Sequence, residues 1–564
     1  INEGIISARL GSVALASGDR VAMDFTGDGL IRLEVDRAVV DGLVSNHNLI
    51  YAEGGRVYMT ARAAGDLAAT VVNNEGIIEA TGVEERDGQV FLTAAGGSLN
   101  HAGAIDVSGT GNGAGGEVLI DSDATTVVSG SIDARSGDQA GQGGSVQVLG
   151  DRVALDNGAV IDASGVDGGG QILVGGDYQG GNGEVRNASR TFVGDAILSA
   201  DAIDNGDGGR IIVWADEVTR FYGNLSATGG ANGGNGGFAE VSGKQNLGFY
   251  GRVDLTAAYG AIGTLLLDPE VLQIVNTAGS LDGNLPTINF ADGGASETVG
   301  VDVINSAGAS IMLEAGQIEF LNSNDITLAA GNSISFTADS AAAGGGNGSI
   351  TNPGTFSFSI NTSGIGTISF DANGLINLAG ISLNSASAVS LASGSSVALG
   401  NVNAGSLDIT AAGNIVHSSG LNSVVVSGQT NLNADTNPIS VSLDNATNDF
   451  NNVVLGGTGS FTTVSVRDSS ALVIGGDAGT LFANAGGALD FTGGTYTTLN
   501  GTAGGNISQS NTLTVSGTTT LTSNSAAITA ALTDAGNDFG TVALVSAGGS
   551  FTSASITDAN ALNV

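Results

Sequence analysis

Two short markers advance together along the first half of the chain, and this repetition limits the possible folds more than any other feature. GIIEA around Ile78 returns as AIDVSG around Ile105, SIDARSG around Ile132, VIDASG around Ile161, NLSATGG around Leu225 and RVDLTA around Val253. The steps are 27, 27, 29, 64 and 28 residues, and the step of 64 leaves room for two longer coils. A glycine pair follows the markers at Gly115, Gly143, Gly169, Gly208 and Gly236, with earlier copies of the pattern at Gly4 and Gly54. Two markers keeping one period are the signature of stacked structural repeats.

The contents of a coil read as strands. Apolar residues alternate at Val118 and Ile120, Val146 and Val148, Ile172 and Val174, and Ile211 and Val213. Period two with β-branched residues means short strands with one face buried. Helical spacing is absent, so βαβ units are excluded. Regular two-residue Asn-Gly turns, which a hairpin meander favours, are missing too. The remaining solution winds each coil once around a shared axis, with every strand paired in parallel to its equivalents above and below. The fold class is therefore all-β: a parallel β-helix (β-solenoid), elongated, with irregular side loops. Marker residues such as Ile132 point inward. Gly and Asn take the corners, where positive φ is expected. Asn2, Asn74 and Asn157 each lie four residues before a marker isoleucine, and such asparagines are expected to stack as an amide ladder.

The style changes along the chain. After about residue 300 it becomes Ser/Thr/Asn-rich with shorter steps. VSGQTNL at Val426 returns as VSGTTTL at Val515, 89 residues on, and NDFNNVVL at Asn448 returns as NDFGTVAL at Asn537. Four stretches follow: 1–70; 71–268, the Gly-rich coils ending at GTLLLDP; 269–400, a Ser/Asn-rich continuation; and 401–564, the distal repeats.

Composition excludes several functions. The 564 residues include 93 Gly, one Trp and no Cys, with a net charge of −39. Fifteen of the 16 basic residues lie at or before Arg252, and only Arg467 follows. A chain without a basic face does not neutralise nucleic-acid phosphates. Disulfides and thiolate zinc sites are ruled out. No apolar run approaches the length of a membrane helix, so the chain is not expected to span a membrane.

Individual motifs favour structure over chemistry. GNGAGG at Gly111–Gly116 fits a dinucleotide fingerprint, but EVLID after it is a strand where a helix is needed. Asp106, Asp133 and Asp162 follow the marker isoleucine in three coils and would align on the outer face. Paired carboxylates hydrolyse glycans, but these recur with the repeat, between Glu79 and Asp254, as a solvated acidic stripe. Trp214, Tyr222 and Tyr250 are candidate ligand-facing aromatics; packing against a core end or a side loop is preferred, because aromatics are more often buried. No catalytic residue, resident metal or cofactor is assigned, beyond weak Ca2+ binding at acidic corners such as Asp204–Arg210. His47, His101 and His417 read as surface turn residues.

GTLLLDPEVLQI (Gly263–Ile274), GGNGGFAEVSGKQNLGFYGRVDLTA (Gly233–Ala257), VALASGDRVAMDFTGDGLI (Val13–Ile31), VVNNEGIIEATGVEERDGQV (Val71–Val90) and GDGGRIIVWADEVTRFYG (Gly206–Gly223) resemble the filamentous-haemagglutinin-like exoproteins of two-partner secretion. The resemblance implies a right-handed β-helix, exported through an outer-membrane β-barrel transporter and secreted from or displayed on a Gram-negative cell. The Asn-Pro-Asn motifs of the family's amino-terminal secretion domain are not found. The chain is therefore expected to begin at or just after that domain, with transporter recognition outside these residues. The function expected is a non-enzymatic adhesin that binds glycans, host or bacterial surface receptors, or itself, in attachment, aggregation or biofilm. The alternatives are a purely structural stalk and, more weakly, a polysaccharide lyase or hydrolase.

Overall fold

The computed structural model describes residues 1–24, 32–39, 42–63, 70–82, 87–181, 183–276, 298–338, 348–417, 422–560 and 562. Of the stretches carrying the family resemblance, 25–31 and 83–86 lie outside the described residues. The chain divides into two compact units, Ile1–Glu314 and Ala315–Val564. Both are parallel β-helices.

In the first unit the marker strands form one nine-stranded parallel sheet in chain order, from Ile6–Ser7 to Arg252–Asp254. Its register stacks Ile6, Ile50, Ile78, Ile105, Ile132, Ile161, Leu198, Leu225 and Val253 in one column. From Ile50 onward each of them is buried. Burying such a side chain contributes roughly 1.5–3 kcal/mol, which is why the position repeats. The step of 64 resolves into two coils, through Leu198: 37 residues and then 27. A second column runs Val13, Val57, Val90, Val118, Val146, Ile172 and Ile211. A third strand completes each coil. One departure from parallel pairing is the antiparallel pair Arg20–Asp24 and Arg32–Arg37, a side excursion between the first two coils.

The glycine pairs have a different cause from the expected one. None of Gly115, Gly116, Gly143, Gly144, Gly169 or Gly170 has positive φ. What they need is space. A Cβ on Gly115, Gly143 or Gly169 would collide with the carbonyl of Ala134, Ala163 or Ala200, and one on Gly116, Gly144 or Gly170 with the carbonyl of Gly88, Gly116 or Gly144. The corners stack so closely that any side chain there would push the coils apart.

The second unit winds more tightly. One column runs Val389, Leu407, Thr430, Val453, Ile474, Phe491 and Gln509, in steps of 18, 23, 23, 21, 17 and 18 residues. A second runs Val397, Ile415, Val441, Val464, Leu481, Leu499, Thr519 and Val542. Thr430 and Thr519 are equivalent in the 89-residue repeat, yet they lie on different columns. The repeat therefore carries a non-integral number of coils, and its second copy meets a different face of the unit. Local interactions survive the change of face. Buried Asn448 accepts from the Val424 amide at 2.9 Å and donates to Leu443 O at 2.9 Å. Buried Asn537 accepts from the Leu513 amide at 2.9 Å and donates to Leu532 O at 3.2 Å.

Candidate functional site

The amide ladder exists, with different members from those expected. Asn2 Nδ2 donates to Asn46 Oδ1 and Asn46 Nδ2 to Asn74 Oδ1, both at 2.8 Å. Asn74 Nδ2 then lies 3.0 Å from His101 Nδ1. All four side chains are buried. Asn157 does not join. Its column position is taken by Leu155, which pairs with Val128 above His101. The coil from Ile132 to Ile161 is two residues longer than its predecessor, and the extra residues lie between Leu155 and Ile161. They carry Asn157 out to a turn, where its Oδ1 accepts from the Asp195 amide at 2.9 Å. His101 is likewise no surface residue: it is fully buried as the last polar rung. Beyond it the column turns apolar through Val128, Leu155, Val193, Phe221 and Phe249.

Glu79, Asp106, Asp133 and Asp162 occupy consecutive rungs of one outward column. Ser199 and Ser226 interrupt it before Asp254. The carboxylates cap their own corners. Asp106 accepts from the Ser108 amide and hydroxyl, and Asp162 from the Ser164 amide at 2.9 Å. Arg135 binds Asp133 and reaches Asp162 at 3.7 Å. This is Asx-turn chemistry. At the Asp204–Arg210 corner, Asp204 accepts from Asn232 and Asp207 from Asn235, one coil on. Among the described residues no group of three or more His, Asp or Glu gathers to hold a metal. Gly111–Gly116 is a coil corner leading into the strand Glu117–Val128.

The aromatic residues part company. Tyr222 and Tyr250 are half-buried and stack on successive rungs, 4.8 Å apart. Trp214 is only 3% exposed and packs with Leu173 and Ile212. The long coil supplies its cover: Gly176 and Gly180 close over the indole. Strands Arg210–Ala215 and Phe238–Gly243 are consequently buried on both faces. Beside the indole lies a group that strand alternation alone did not single out. Glu240 is fully buried, and its carboxylate accepts from the Gln179 amide at 3.1 and 3.2 Å. Burial pushes its carboxyl up to about 7. Asp268 is pushed up to about 7 as well, by burial first and then by the charge of Glu314. The signal available was a glutamate on the column of Ile212 and Leu266.

In the second unit a groove of about 550 Å³ is lined by exposed Ser460, Asp477, Thr495, Thr497 and Ser516, with half-buried Thr514. Glycines at 456, 457 and 459 open its wall.

Residues 386–457 and 475–546 each match the repeat family DUF5649, described as repeats of unknown function. The matches begin 89 residues apart, the same step as the VSGQTNL and NDF repeats. No curated protein matches the chain. The chain is a repeat protein of parallel β structure. Among the described residues no helix is long and apolar enough to cross a membrane.

Proposed function

We propose that this chain is an adhesin of the filamentous-haemagglutinin type, secreted from or displayed on a Gram-negative cell, whose β-helix holds ligands without chemistry. The export partner this reading implies is the outer-membrane β-barrel transporter of two-partner secretion. The observation that carries the reading is the groove in the second unit. Its hydroxyls, one carboxylate and open glycine backbone suit a ligand rich in hydroxyl groups, because each such group can give and take a hydrogen bond. Arg467 is the only basic residue after Arg252, so an anionic glycan would meet no countercharge there. The ligand class is therefore a neutral glycan on a host or bacterial surface.

The test is binding by the whole chain on beads, against neutral and acidic glycan arrays and against host and bacterial cells. Saturable binding, competed by soluble neutral sugar and lowered at least tenfold in Asp477→Ala/Thr497→Ala, is expected. Folded protein that retains nothing would sink the adhesin reading. A second reading, a structural stalk, is favoured by one observation: the Asp106, Asp133 and Asp162 row and the buried asparagines are engaged in holding their own coils.

A further inference from the structure

The 37-residue coil places Gly-Gly-Asp-Tyr-Gln-Gly-Gly, residues 175 to 181, across the outer face of the first unit. The segment has a glycine pair at each end, and Gly175, Gly180 and Gly181 lie at φ +76, +77 and +63°. Gln179 between them is held at φ 48°, which a residue with a side chain adopts at a cost. What holds it there is a set of polar contacts. The Gln179 amide donates to Glu240, and its Nε2 donates to Glu314 at 2.9 Å. Asp177 pairs with Arg210 at 2.7 Å. Tyr178 lies edge-on to Phe238 and within 5.9 Å of the Arg210 guanidinium. Beneath the segment sit Leu173, Ile212 and Trp214.

The charges facing this seat are unbalanced. Glu240 faces Asp268 and Arg210, with the Ser242 hydroxyl beside it. Asp268 faces Glu314. Tyr178 above them feels Glu314, Glu240, Asp268 and Arg210. Three carboxyls thus meet one guanidinium, and Asp177 already engages that guanidinium. We propose that Gly175–Gly181 is a glycine-hinged, proton-gated strap, seated over Trp214 while Glu240 and Asp268 are protonated and lifted when both ionise.

The sign follows from linkage. Both carboxyls bind protons more tightly in the seated state, near pH 7, than they would in water, near pH 4. The seated state therefore gains from protonation at acidic pH. It loses that gain as pH rises, and the loss is complete above about 7. Lifting the strap returns both carboxylates to water and uncovers an apolar patch around the indole.

Trp214 is the chain's only tryptophan, so its fluorescence reads the strap directly. The whole chain is titrated from pH 5 to 9 with excitation selective for tryptophan, alongside acrylamide quenching and far-ultraviolet circular dichroism. The expected result is a reversible red shift and a several-fold rise in quenching, centred near pH 7, with the dichroism unchanged. Glu240→Gln/Asp268→Asn should stay blue and protected through pH 9. Gln179→Pro cannot adopt positive φ and lacks the amide hydrogen, so it should be red-shifted already at pH 5. Emission and quenching that are flat from pH 5 to 9 in the wild type would overturn the proposal. So would a wild-type transition that persists unchanged in the double variant.

Discussion

Asn74 Nδ2 lies 3.0 Å from His101 Nδ1, and this contact fixes the proton on the imidazole. Asn74 Oδ1 already accepts from Asn46, so its amide nitrogen is the donor and His101 Nδ1 must accept. The proton therefore sits on Nε2, which faces Ser131 O at 3.2 Å. A second proton, on Nδ1, would set two donors against each other inside the coil.

Burial accordingly depresses His101 from its ordinary value to about 4. A histidine lowered in the folded state exacts nothing above pH 6.5. It destabilises the fold progressively as pH falls toward 4, and the loss is then constant. At pH 5 the penalty is about 2 kcal/mol, at 1.36 kcal/mol per pK unit. Urea unfolding of the wild type and His101→Asn at pH 7.5 and pH 5 measures it. The wild type should lose about 2 kcal/mol more than the variant over that interval. The asparagine continues the ladder without a titrating group, whatever its own pH-independent effect. Equal losses would mean that His101 is not neutral in the fold.

Much of the fold was legible because an inward position in a stacked coil is used again by the next coil. The marker isoleucines could be aligned by eye, and the sheet pairs them in that register. The early marker Ile50, and with it Asn46, escaped notice because no AxG tail follows it. Leu198 was hidden in the long step. Asn157 was misread because spacing was counted back from the marker, while the two extra residues fell between it and Leu155. The Glu240, Asp268 and Gln179 seat was not legible at all. Its members come from three different coils, and only the register and the long turn bring them together.

The inward marker column yields a contrast between adjacent residues. Ile132 is 1% exposed between Ile105 and Ile161, while Ser131 points outward. Ile132→Asp would bury a carboxylate with no partner and should cost about 4 kcal/mol or more. Ser131→Asp should change stability by less than about 0.5 kcal/mol. Thermal melting and limited proteolysis of the two variants separate them: new cleavage near residue 132 is expected in Ile132→Asp alone. Equal resistance in both would reverse the inside and outside of this sheet.

The glycine corners make a sharper claim, because two kinds of glycine in neighbouring coils should respond to alanine for different reasons. Gly143 has ordinary φ, but a Cβ there would run into the Ala163 carbonyl and the Gly170 amide of the next coil. Neither group can move without breaking the parallel ladder, so Gly143→Ala should cost about 3 kcal/mol, as overpacking does. Gly158 has φ +88° and open space around its missing Cβ. Alanine there meets only backbone strain, about 1 kcal/mol. Urea unfolding should rank Gly143→Ala well below Gly158→Ala. Amide exchange should show the loss spreading to Ser145–Leu155 and Gln171–Val174, the strands leaving the corner. If the two alanines cost the same, the glycine pairs are kept for conformational freedom and the close stacking of the corners is not what selects them.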